Sequence, residues 1–459
     1  NSWHSRKFGI AMTTNLAESY DLRVPRYTSY PTAPHFSDAV GPKEYGDWLN
    51  SLTRDVDLSL YFHIPFCDSM CSFCGCYTKI VNKYKPVSDY LDTLLKEIDL
   101  VAGNVSAGIP IKHLHWGGGS PTMLTGADWM RSIDRIRSRF SVAEDAEIAV
   151  EMDPRDTTED YVRDLAAAGV NRTSIGVQDF HPEVQNAINR IQPYDVTQRV
   201  IGWLAAHGIK NLNMDLMYGL PHQTTERVLE MVDLALTLKP QRVALFGYAH
   251  VPWMRAHQKL IDEAALPGAV ERWEQSSAAS ARLVAAGYVA VGLDHFARPD
   301  DSMATALSDG NLHRNFQGYT VDSAPVLLGM GASAIGSLRQ GYVQNTLPLR
   351  DYARAIEEGK FATARGIELS SDDIIRAAII ERLMCDLRVN LGEVAGGADI
   401  SKTFGDELAH LQRLEADGII SIAGDEIAVT EMGRPFVRLV ASAFDTYLES
   451  GKARHSKAV

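Results

Sequence analysis

The sequence predicts an α/β fold: an open parallel sheet wrapped by helices, with an arm before it and a mainly helical, winged-helix-like unit after it. Two observations predict the sheet. Between residues 58 and 249, β-rich runs alternate with helical segments, the pattern of parallel strands joined by outer helices. The alternation yields six strand–helix units, short of the roughly eight that close a barrel. A third observation predicts the last unit, because after Gly359 the chain changes to capped helices and one hairpin. On this reading residues 1–50 are an arm, 51–358 the barrel with an extension, and 359–459 a helical lid.

The elements follow in order. Residues 1–11 precede Met12-Thr13-Thr14-Asn15, which reads as a native beginning, so they are taken as an upstream remnant. The stretch Arg26–Thr32 carries Tyr27, Tyr30 and Pro31 without a helical or strand period. It reads as an arm packed on a later domain, and an aromatic arm of this kind can also cover a ligand. Strands are expected at Leu58–Ile64, Ile111–Trp116, Glu147–Met152, Arg172–Val177, Leu212–Met217 and Arg242–Ala249. Helices are expected around Ser88–Val101, Ala127–Arg139 and Thr158–Ala168, up to His207, and over Thr225–Leu238. Tyr288–Asp294 reads as one further strand. In the last unit Ser370-Ser371-Asp372-Asp373 is a helix N-cap ahead of Ile374–Asp386, because a short polar side chain there can bond the first free N–H groups. Helices follow over Thr403–Asp417 and Pro435–Leu448, with Ile419–Ile422 and Glu426–Thr430 as a small hairpin. Cys385 falls on a helix as a buried small residue, and Ser450–Val459 reads as a disordered tail.

Composition excludes several classes. The 459 residues are 45% hydrophobic and 22% charged, the balance of a globular chain with two or three domains. No apolar run reaches the length of a membrane span, and no signal peptide is visible. A net charge of −13 disfavours nucleic acid or an anionic membrane as a general partner. Four of the five cysteines crowd into one loop, so there is no disulfide framework, and a reducing cytoplasm is expected.

That loop is His63-Ile64-Pro65-Phe66-Cys67-Asp68-Ser69-Met70-Cys71-Ser72-Phe73-Cys74-Gly75-Cys76-Tyr77, with spacing CxxxCxxCxC. Cys thiolates hold iron–sulfur clusters. Three ligands from CxxxCxxC would leave one iron of a [4Fe–4S] cube open, and open metal positions are where metal sites do chemistry. Two other readings stand beside this one: a structural zinc site, which more often uses two separated CxxC knuckles, and a closed four-thiolate electron carrier. By chemistry alone Cys76 could be the fourth ligand.

Polar residues recur where strands end and loops begin, which is where barrel sites gather. The second strand ends in Gly117-Gly118-Gly119-Ser120-Pro121-Thr122, the third in Glu151-Met152-Asp153-Pro154, and the fourth in Gly176-Val177-Gln178-Asp179-Phe180. The fifth ends in Asn213-Met214-Asp215 and the sixth in Phe246-Gly247-Tyr248-Ala249-His250. Singly each could be a solvated loop or a cap; as a set they suit a polar ligand such as ribose plus an amino acid. Further on, Asp294–Asp301, His313–Thr320 and the glycine-laced run Leu328–Gly336 suggest substrate contact. Arg298, His313 and Arg314 could meet carboxylates or could be surface ion pairs, and Leu328–Gly336 could pack on a flat ligand or be a buried, turn-rich connection.

The CxxxCxxC loop resembles that of the radical S-adenosylmethionine (SAM) enzymes, in which the open iron chelates the methionine end of SAM. Taken in order, RYTSYPTA, HIPFCDSMCSFCGCY, GGGSPT, EMDPR, GVQDFH, DLMYGLP, YAHVP, DHFARPDD and HRNFQGYT resemble the oxygen-independent coproporphyrinogen III oxidases of haem biosynthesis over roughly residues 25–435. A sister branch of haem-chaperone-like proteins shares the barrel. It typically lacks the CxC extension and has HNxxYW where this chain has HRNFQGYT.

The resemblance implies an incomplete, three-quarter (β/α)6 barrel open to a large substrate. It implies oxidative decarboxylation of two propionates of coproporphyrinogen III to vinyl groups, giving protoporphyrinogen IX. Cys67, Cys71 and Cys74 carry over as ligands of one [4Fe–4S] cluster, and Cys76 as a nearby thiol. Tyr61, Phe73, Gly118, Gly119, Ser120, Glu151, Gln178, Arg190, Asp215, Ala249 and Ile335 map onto SAM-contacting positions. The family's usual Gly-Thr-Pro is Gly119-Ser120-Pro121 here, which keeps the hydroxyl. Tyr61, Glu151, Phe316 and Gln317 map onto positions tied to activity, the last two near a second bound SAM. The arm around Tyr27–Tyr30 would close over the substrate. Arg190 is expected to pair with the methionine carboxylate, Asp215 or Gln178 with ribose hydroxyls, and Tyr61 with the sulfonium. A low-potential electron donor, an electron acceptor and a monomeric chain are also implied. The rival readings are a haem carrier on the same fold, a radical enzyme acting on another tetrapyrrole, and a plain electron carrier.

Overall fold

Residues 19–20, 22–397 and 399–448 are described by a computed structural model; the expected upstream remnant and the tail lie outside them. The molecule is organised around β1 (Leu58–Ile64), six of whose seven side chains are buried. One face of a barrel strand packs on the outer helices and the other lines the interior, so β1 is buried almost throughout while Ser59, Tyr61 and His63 alternate with Leu58, Leu60, Phe62 and Ile64. After it, α1 (Lys85–Ala102) leads to β2 (Pro110–Gly118), α2 (Gly126–Arg139) to β3 (Ser141–Met152), and α3 (Glu159–Ala168) to β4 (Arg172–Gln178). Helix α4 (Tyr194–Ala206) leads to β5 (Asn211–Tyr218), and α5 (Thr225–Thr237) to β6 (Arg242–Gly247). These six strands pair in parallel, in chain order. Side chains start three of the helices: Thr125, Thr158 and Thr224 each accept an N–H at the N-terminus of α2, α3 and α5.

After α6 (Ala269–Ala285) the expectation of a single strand over Tyr288–Asp294 is corrected. Only β7 (Val289–Val291) forms, and the chain turns at Gly292 (φ 56°) into β8 (His295–Ala297), which pairs antiparallel with both β7 and β6. The turn demands glycine twice over, by its left-handed φ and because the Tyr319 ring fills the space of a Cβ. Leu328–Gly336 takes the buried, turn-rich alternative. It is β9 (Val326–Met330), parallel to β1, a turn through Gly331, and β10 (Ile335–Leu338) coming back. Gly329 allows the backbone of Ile335 to approach, so this glycine serves strand contact rather than a flat ligand. Strands β11 (Gly341–Asn345) and β12 (Thr363–Glu368) extend that edge antiparallel. The whole sheet runs β12-β11-β10-β9-β1-β2-β3-β4-β5-β6-β8-β7, with seven parallel strands at its centre, an open (β/α)6 barrel extended by one strand beside β1.

A buried carboxylate locks that extension in place. Glu97 of α1 accepts from Gly331 N (2.7 Å), Asn345 Nδ2 (2.7 Å) and Tyr352 Oη (2.6 Å), while burial pushes its pKa up to about 7.

Thr363–Glu368 belongs to the large sheet, so the helical unit begins at α7 (Ser371–Asp386), which Ser370 caps with Asp373 in a reciprocal box. The hairpin Ile420–Ala423 and Glu426–Val429 gains a third strand, Arg388–Asn390, and the last helix is only Val437–Ser442, shorter than the expected Pro435–Leu448. This unit has its own core, and the arm is part of it: Tyr20, Val24, Tyr27 and Tyr30 pack with Leu383, Met384, Phe436 and Val440. From Val40 the chain joins the barrel core instead, through Tyr45, Trp48 and Leu49 of the helix Pro42–Asn50. Among the described residues no helix is long and apolar enough to cross a membrane.

Candidate active site

The cysteine loop leaves the end of β1 and is held by its backbone. Gly119 N and Ser120 N donate to Ile64 O (2.8 Å) and Phe66 O (2.7 Å), joining the loop to the end of β2. Phe66–Cys67 pairs with Lys79–Ile80. Distant elements then grip its carbonyls: Asn189 Nδ2 on Met70 O (2.7 Å), Gln258 Nε2 on Phe73 O (2.8 Å), His257 Nε2 on Cys74 O (2.7 Å) and Arg255 Nε on Gly75 O (2.7 Å). The loop's shape is thus set by residues far along the chain, whereas its spacing is local.

The thiols face cationic donors. Arg190 and Arg155 point N–H groups at Cys71 Sγ, at 3.6 and 3.8 Å. A hydrogen bond from the Cys76 thiol, assisted by the Cys76 N–H and by the charges of His257 and Arg255, brings Cys74 down to about 6. Burial beside Cys74 and Cys71 pushes Cys67 up to about 12, and Cys76 is pushed up by its bond to Cys74 and by burial. A set of three thiols on one loop, with Cys74 favoured as a thiolate by its Cys76 hydrogen bond and two guanidinium groups directed at Cys71, fits the donor chemistry of an iron–sulfur cluster.

The floor of the mouth is Gly117-Gly118-Gly119, and none has room for a side chain. A Cβ would meet the Glu151 carboxylate at 2.6 Å at Gly117, the His63 ring at 2.5 Å at Gly118 (φ 114°), and Phe66 O at 2.6 Å at Gly119. Glu151 accepts from Gly118 N (3.1 Å) and lies 3.2 Å from His115 Nε2. Although partly desolvated, its carboxyl is held below the usual range by His115, this N–H and His63. Tyr61 stacks on His115 (5.9 Å) and its hydroxyl meets His63 Nδ1 at 3.0 Å. The sequence reading passed over His63 and His115. Period-2 alternation would have placed His113 and His115 on one face of β2, opposite Leu114 and Trp116.

Next along the rim, Asp153 accepts from Arg155 (2.6 Å) and Arg190 (3.1 Å), and the two guanidinium groups hold its carboxyl down to about 2 despite burial. Arg190, 7% exposed, also donates to Gly176 O at 2.7 Å, and its Nε is left without a partner. Asp215 accepts from Asn213 Nδ2 (2.8 Å) and Ser174 Oγ (3.1 Å); burial and Glu151 push it up to about 6. Gln178 takes a left-handed backbone (φ 69°) at an irregularity in the β4–β5 register. Ser120 Oγ bonds Thr122 Oγ1 at 2.6 Å.

The other expected residues lie around this group. Phe73 packs on a satellite cluster with Val184, Ile188 and Tyr248. Ala249 follows β6 and its carbonyl is 3.3 Å from Gln258 Nε2. Ile335 starts β10. Phe316 and Gln317 form the turn between the short strands His313–Asn315 and Gly318–Thr320. Phe316 meets Tyr342 edge-on (5.8 Å), and Gln317 Nε2 is buried without a partner. Arg298 (43% exposed) pairs with Asp300 at 3.2 Å, and His313 with Glu381 at 3.1 Å, so both take the ion-pair alternative.

Beside the mouth a cavity of about 830 Å3 opens between β6, α6, the arm and the helical unit, its wall shared with Gly247 and Ala249. Arg272, Arg434 and Arg438 line it with Arg26 and Arg314. The first three carry no linear signal, since their neighbours in sequence show nothing but helix.

Comparison with known proteins agrees with this geometry. Residues 61–235 match the Radical SAM superfamily and residues 369–436 the HemN C-terminal domain. The chain is 48% identical over 451 residues to an oxygen-independent coproporphyrinogen III oxidase of Bradyrhizobium diazoefficiens, covering 98% of this chain and 100% of the relative. A second relative of that name, from Cereibacter sphaeroides, is 43% identical over 440 residues, 96% of this chain and 97% of its own length. Among solved structures, coproporphyrinogen III oxidase (HemN) from Escherichia coli, described as a radical SAM enzyme, superposes with a TM-score of 0.88 at 38% identity, over 93% of this chain and 100% of that one.

Proposed function

The chain belongs to the oxygen-independent coproporphyrinogen III oxidases of the radical SAM superfamily, and we propose from this premise how its own residues divide the work. The activity is oxidative decarboxylation: two propionates of coproporphyrinogen III become vinyl groups, giving protoporphyrinogen IX. When bound, the [4Fe–4S] cluster and SAM supply the one-electron chemistry, reductive cleavage of the sulfonium to a radical that takes a hydrogen atom from a propionate β-carbon. Each propionate then gives up CO2 and one electron.

Cys67, Cys71 and Cys74 would hold three of the irons, with Arg155 and Arg190 offsetting the negative charge at Cys71. Gly118 and Gly119 leave main chain bare for the methionine end of SAM. Glu151, kept ionised by His115 and the Gly118 N–H, is aimed at a cation and suits the sulfonium side. Tyr61, steadied on His115, covers the same region. Asp215, with Ser174 and Asn213 fixing its oxygens, and Gln178 would take the ribose hydroxyls. Arg190 would offer Nε to the amino-acid carboxylate while Asp153 and Gly176 O hold its terminal nitrogens. Phe73, Ser120, Ala249 and Ile335 would border the cofactor. The unpartnered Gln317 Nε2 beside Phe316 supports a polar ligand at that turn, a second SAM in this reading. A low-potential donor, an acceptor and a cytoplasmic monomer complete it; the five cysteines, none in a disulfide, suit a reducing compartment.

The observation that carries these assignments is that the three-cysteine loop and Glu151 share one mouth, over a glycine floor that admits no Cβ. Anaerobic turnover of coproporphyrinogen III with SAM and a strong reductant tests it. Two CO2 and protoporphyrinogen IX per substrate are expected; a haem carrier on the same fold would release neither.

A further inference from the structure

We propose that the arginine-lined cavity beside the mouth receives the carboxylates of the tetrapyrrole, and that Arg272 and Arg314 are its propionate-binding residues. The inference rests on the reading above and adds where, and by which side chains, the substrate is held.

Charge is the first argument. Six arginines line the cavity against three acids, in a chain whose net charge is −13. The acids are engaged already: Glu263 with His250 (3.0 Å), Asp294 with His295 (2.7 Å) and Glu431 with Arg434 (3.4 Å). Among the described residues no carboxylate comes within ion-pair distance of Arg26, Arg272 or Arg314. They donate instead to main-chain carbonyls, Arg26 to Gly247 O (3.1 Å), Arg272 to Tyr248 O (2.8 Å) and Arg314 to Arg26 O (3.2 Å). A neutral carbonyl orients a guanidinium without neutralising it, and Asp294 acts on Arg26 and Arg314 through its charge alone, without an ion-pair contact.

Unused donors are the second argument. Nε of Arg272 and both Nε and one terminal nitrogen of Arg314 are buried without a partner. Buried donors are nearly always satisfied, and a charged one left bare is costly. An anionic ligand would satisfy them, and Arg is the residue whose fork matches a carboxylate. The rings of Tyr319 and Tyr218 lie 4.4 and 5.7 Å from the two guanidinium carbons and hold the forks steady for such a ligand. Close by, burial and the charges of Arg26 and Arg314 bring Arg438 down to about 9, a measure of the cationic field.

Shape is the third. About 830 Å3 is within the range of roughly 300–1,000 Å3 typical of ligand sites. Trp273, Tyr248 and Leu245 supply flat apolar wall for a macrocycle, and the shared edge at Gly247 and Ala249 lets one arm of the ligand reach the cluster side while others stay among the arginines.

The test uses the reconstituted holoenzyme, with Arg272→Gln, Arg314→Gln, the double variant, the Lys substitution at each site, and Arg298→Gln as a control on the exposed Asp300 pair. For each single Gln variant the KM for coproporphyrinogen III and the Kd for coproporphyrin III, read by its fluorescence, should rise roughly tenfold or more, and the double variant should lose more. Lys should restore part of the loss. SAM cleavage under reduction without porphyrinogen, and the change in the cluster's paramagnetic signal on adding SAM, should stay as in wild type, and Arg298→Gln should change nothing. A folded Arg272→Gln or Arg314→Gln with wild-type porphyrinogen KM overturns the proposal, as does a rise in the KM for SAM in its place. Wild-type enzyme serves even if the variants fail to fold: a porphyrin without carboxylates that binds as tightly as coproporphyrin III also overturns it. If wild-type enzyme releases no CO2, it is the assigned reaction that fails, a separate outcome.

Discussion

The two sides of the mouth hold their charges differently, acids paired by donors on one and arginines without carboxylate partners on the other. On the cluster side Glu151, Asp153 and Asp215 stand with four cysteines, and each acid is held by specific donors. On the cavity side Arg26, Arg272 and Arg314 gather with no carboxylate partner among the described residues, the last two with bare N–H groups. A sulfonium cation and a polycarboxylate have opposite requirements, and a single electrostatic lining could serve only one of them. The difference therefore teaches how one opening can take both molecules without exchanging their places.

The sharpest way to break the cluster side is at its thiols. Cys71→Ala should abolish cluster assembly and take turnover to background, whereas Cys76→Ala should leave the iron content per chain unchanged. Iron and sulfide analysis of the reconstituted proteins separates the two. Equal loss of iron from both would make Cys76 a fourth ligand and close the position meant for SAM.

Next in size is the glycine floor. Gly117→Ala would drive a methyl into the Glu151 carboxylate, 2.6 Å from where its Cβ must go. Displacing a positioning group by about an ångström can cost roughly 10²-fold in rate, and a loss of that order in kcat/KM for SAM is expected, with melting temperature little changed. The KM for coproporphyrinogen III should hold, because the cavity side is untouched. If both KM values rise together, the two sides are not independent.

This asymmetry also governed what could be read from the sequence. On the cluster side each parallel strand delivers one functional residue where it ends, so the motifs are short, local and in order; Cys67–Cys74, Gly117–Gly119, Glu151 and Asp215 could all be found by following the alternation. Inside strands the residues escaped notice: His63 and His115 are separated in sequence and both reach Tyr61 only because β1 and β2 are neighbours in register. The cavity was nearly invisible, because Arg26, Arg272, Arg314 and Arg438 come from the arm, a barrel helix, a hairpin and the last helix. Tertiary packing alone brings them together. The same reason explains the strand Val326–Met330: its glycines looked like a turn, and only β1, more than two hundred residues earlier, makes it a parallel strand.

A smaller effect sharpens the comparison through pH. Asp215 is pushed up to about 6 from the ordinary 3.8 by burial and by Glu151. An acid whose folded pKa is raised costs stability when it ionises, so the cost is absent below about pH 4, grows as pH rises through 6, and is complete above. Asp215→Asn should therefore stabilise the fold by about 1 kcal/mol at pH 8 and by nothing at pH 4, while weakening SAM binding several-fold. Denaturation at the two pH values, beside SAM titration, checks both halves. A destabilised Asp215→Asn at pH 8 would mean that its bonds to Ser174 and Asn213 outweigh the charge, and that the residue is structural.

The smallest expected effect lies on the cavity side, in the arm. Tyr27 is buried and donates its hydroxyl to Asp445 Oδ2 at 3.0 Å, while Arg438 donates to the carbonyls of Val24 and Pro25. These bonds fix the segment from which Arg26 reaches Gly247. Tyr27→Phe keeps the ring and removes one buried hydrogen bond, worth about 1 kcal/mol, or somewhat more because the acceptor is a carboxylate. The loss should appear as a slightly lower unfolding midpoint of the C-terminal unit, whose core contains Tyr27. If the arm also sets the cationic side, the KM for coproporphyrinogen III should rise about two- to threefold while the KM for SAM stays level, since the residues proposed for SAM do not rest on the arm. A change in the SAM value with none in the porphyrinogen value would reverse the assignment of the two sides, because the arm would then be steadying the half of the mouth that it does not touch.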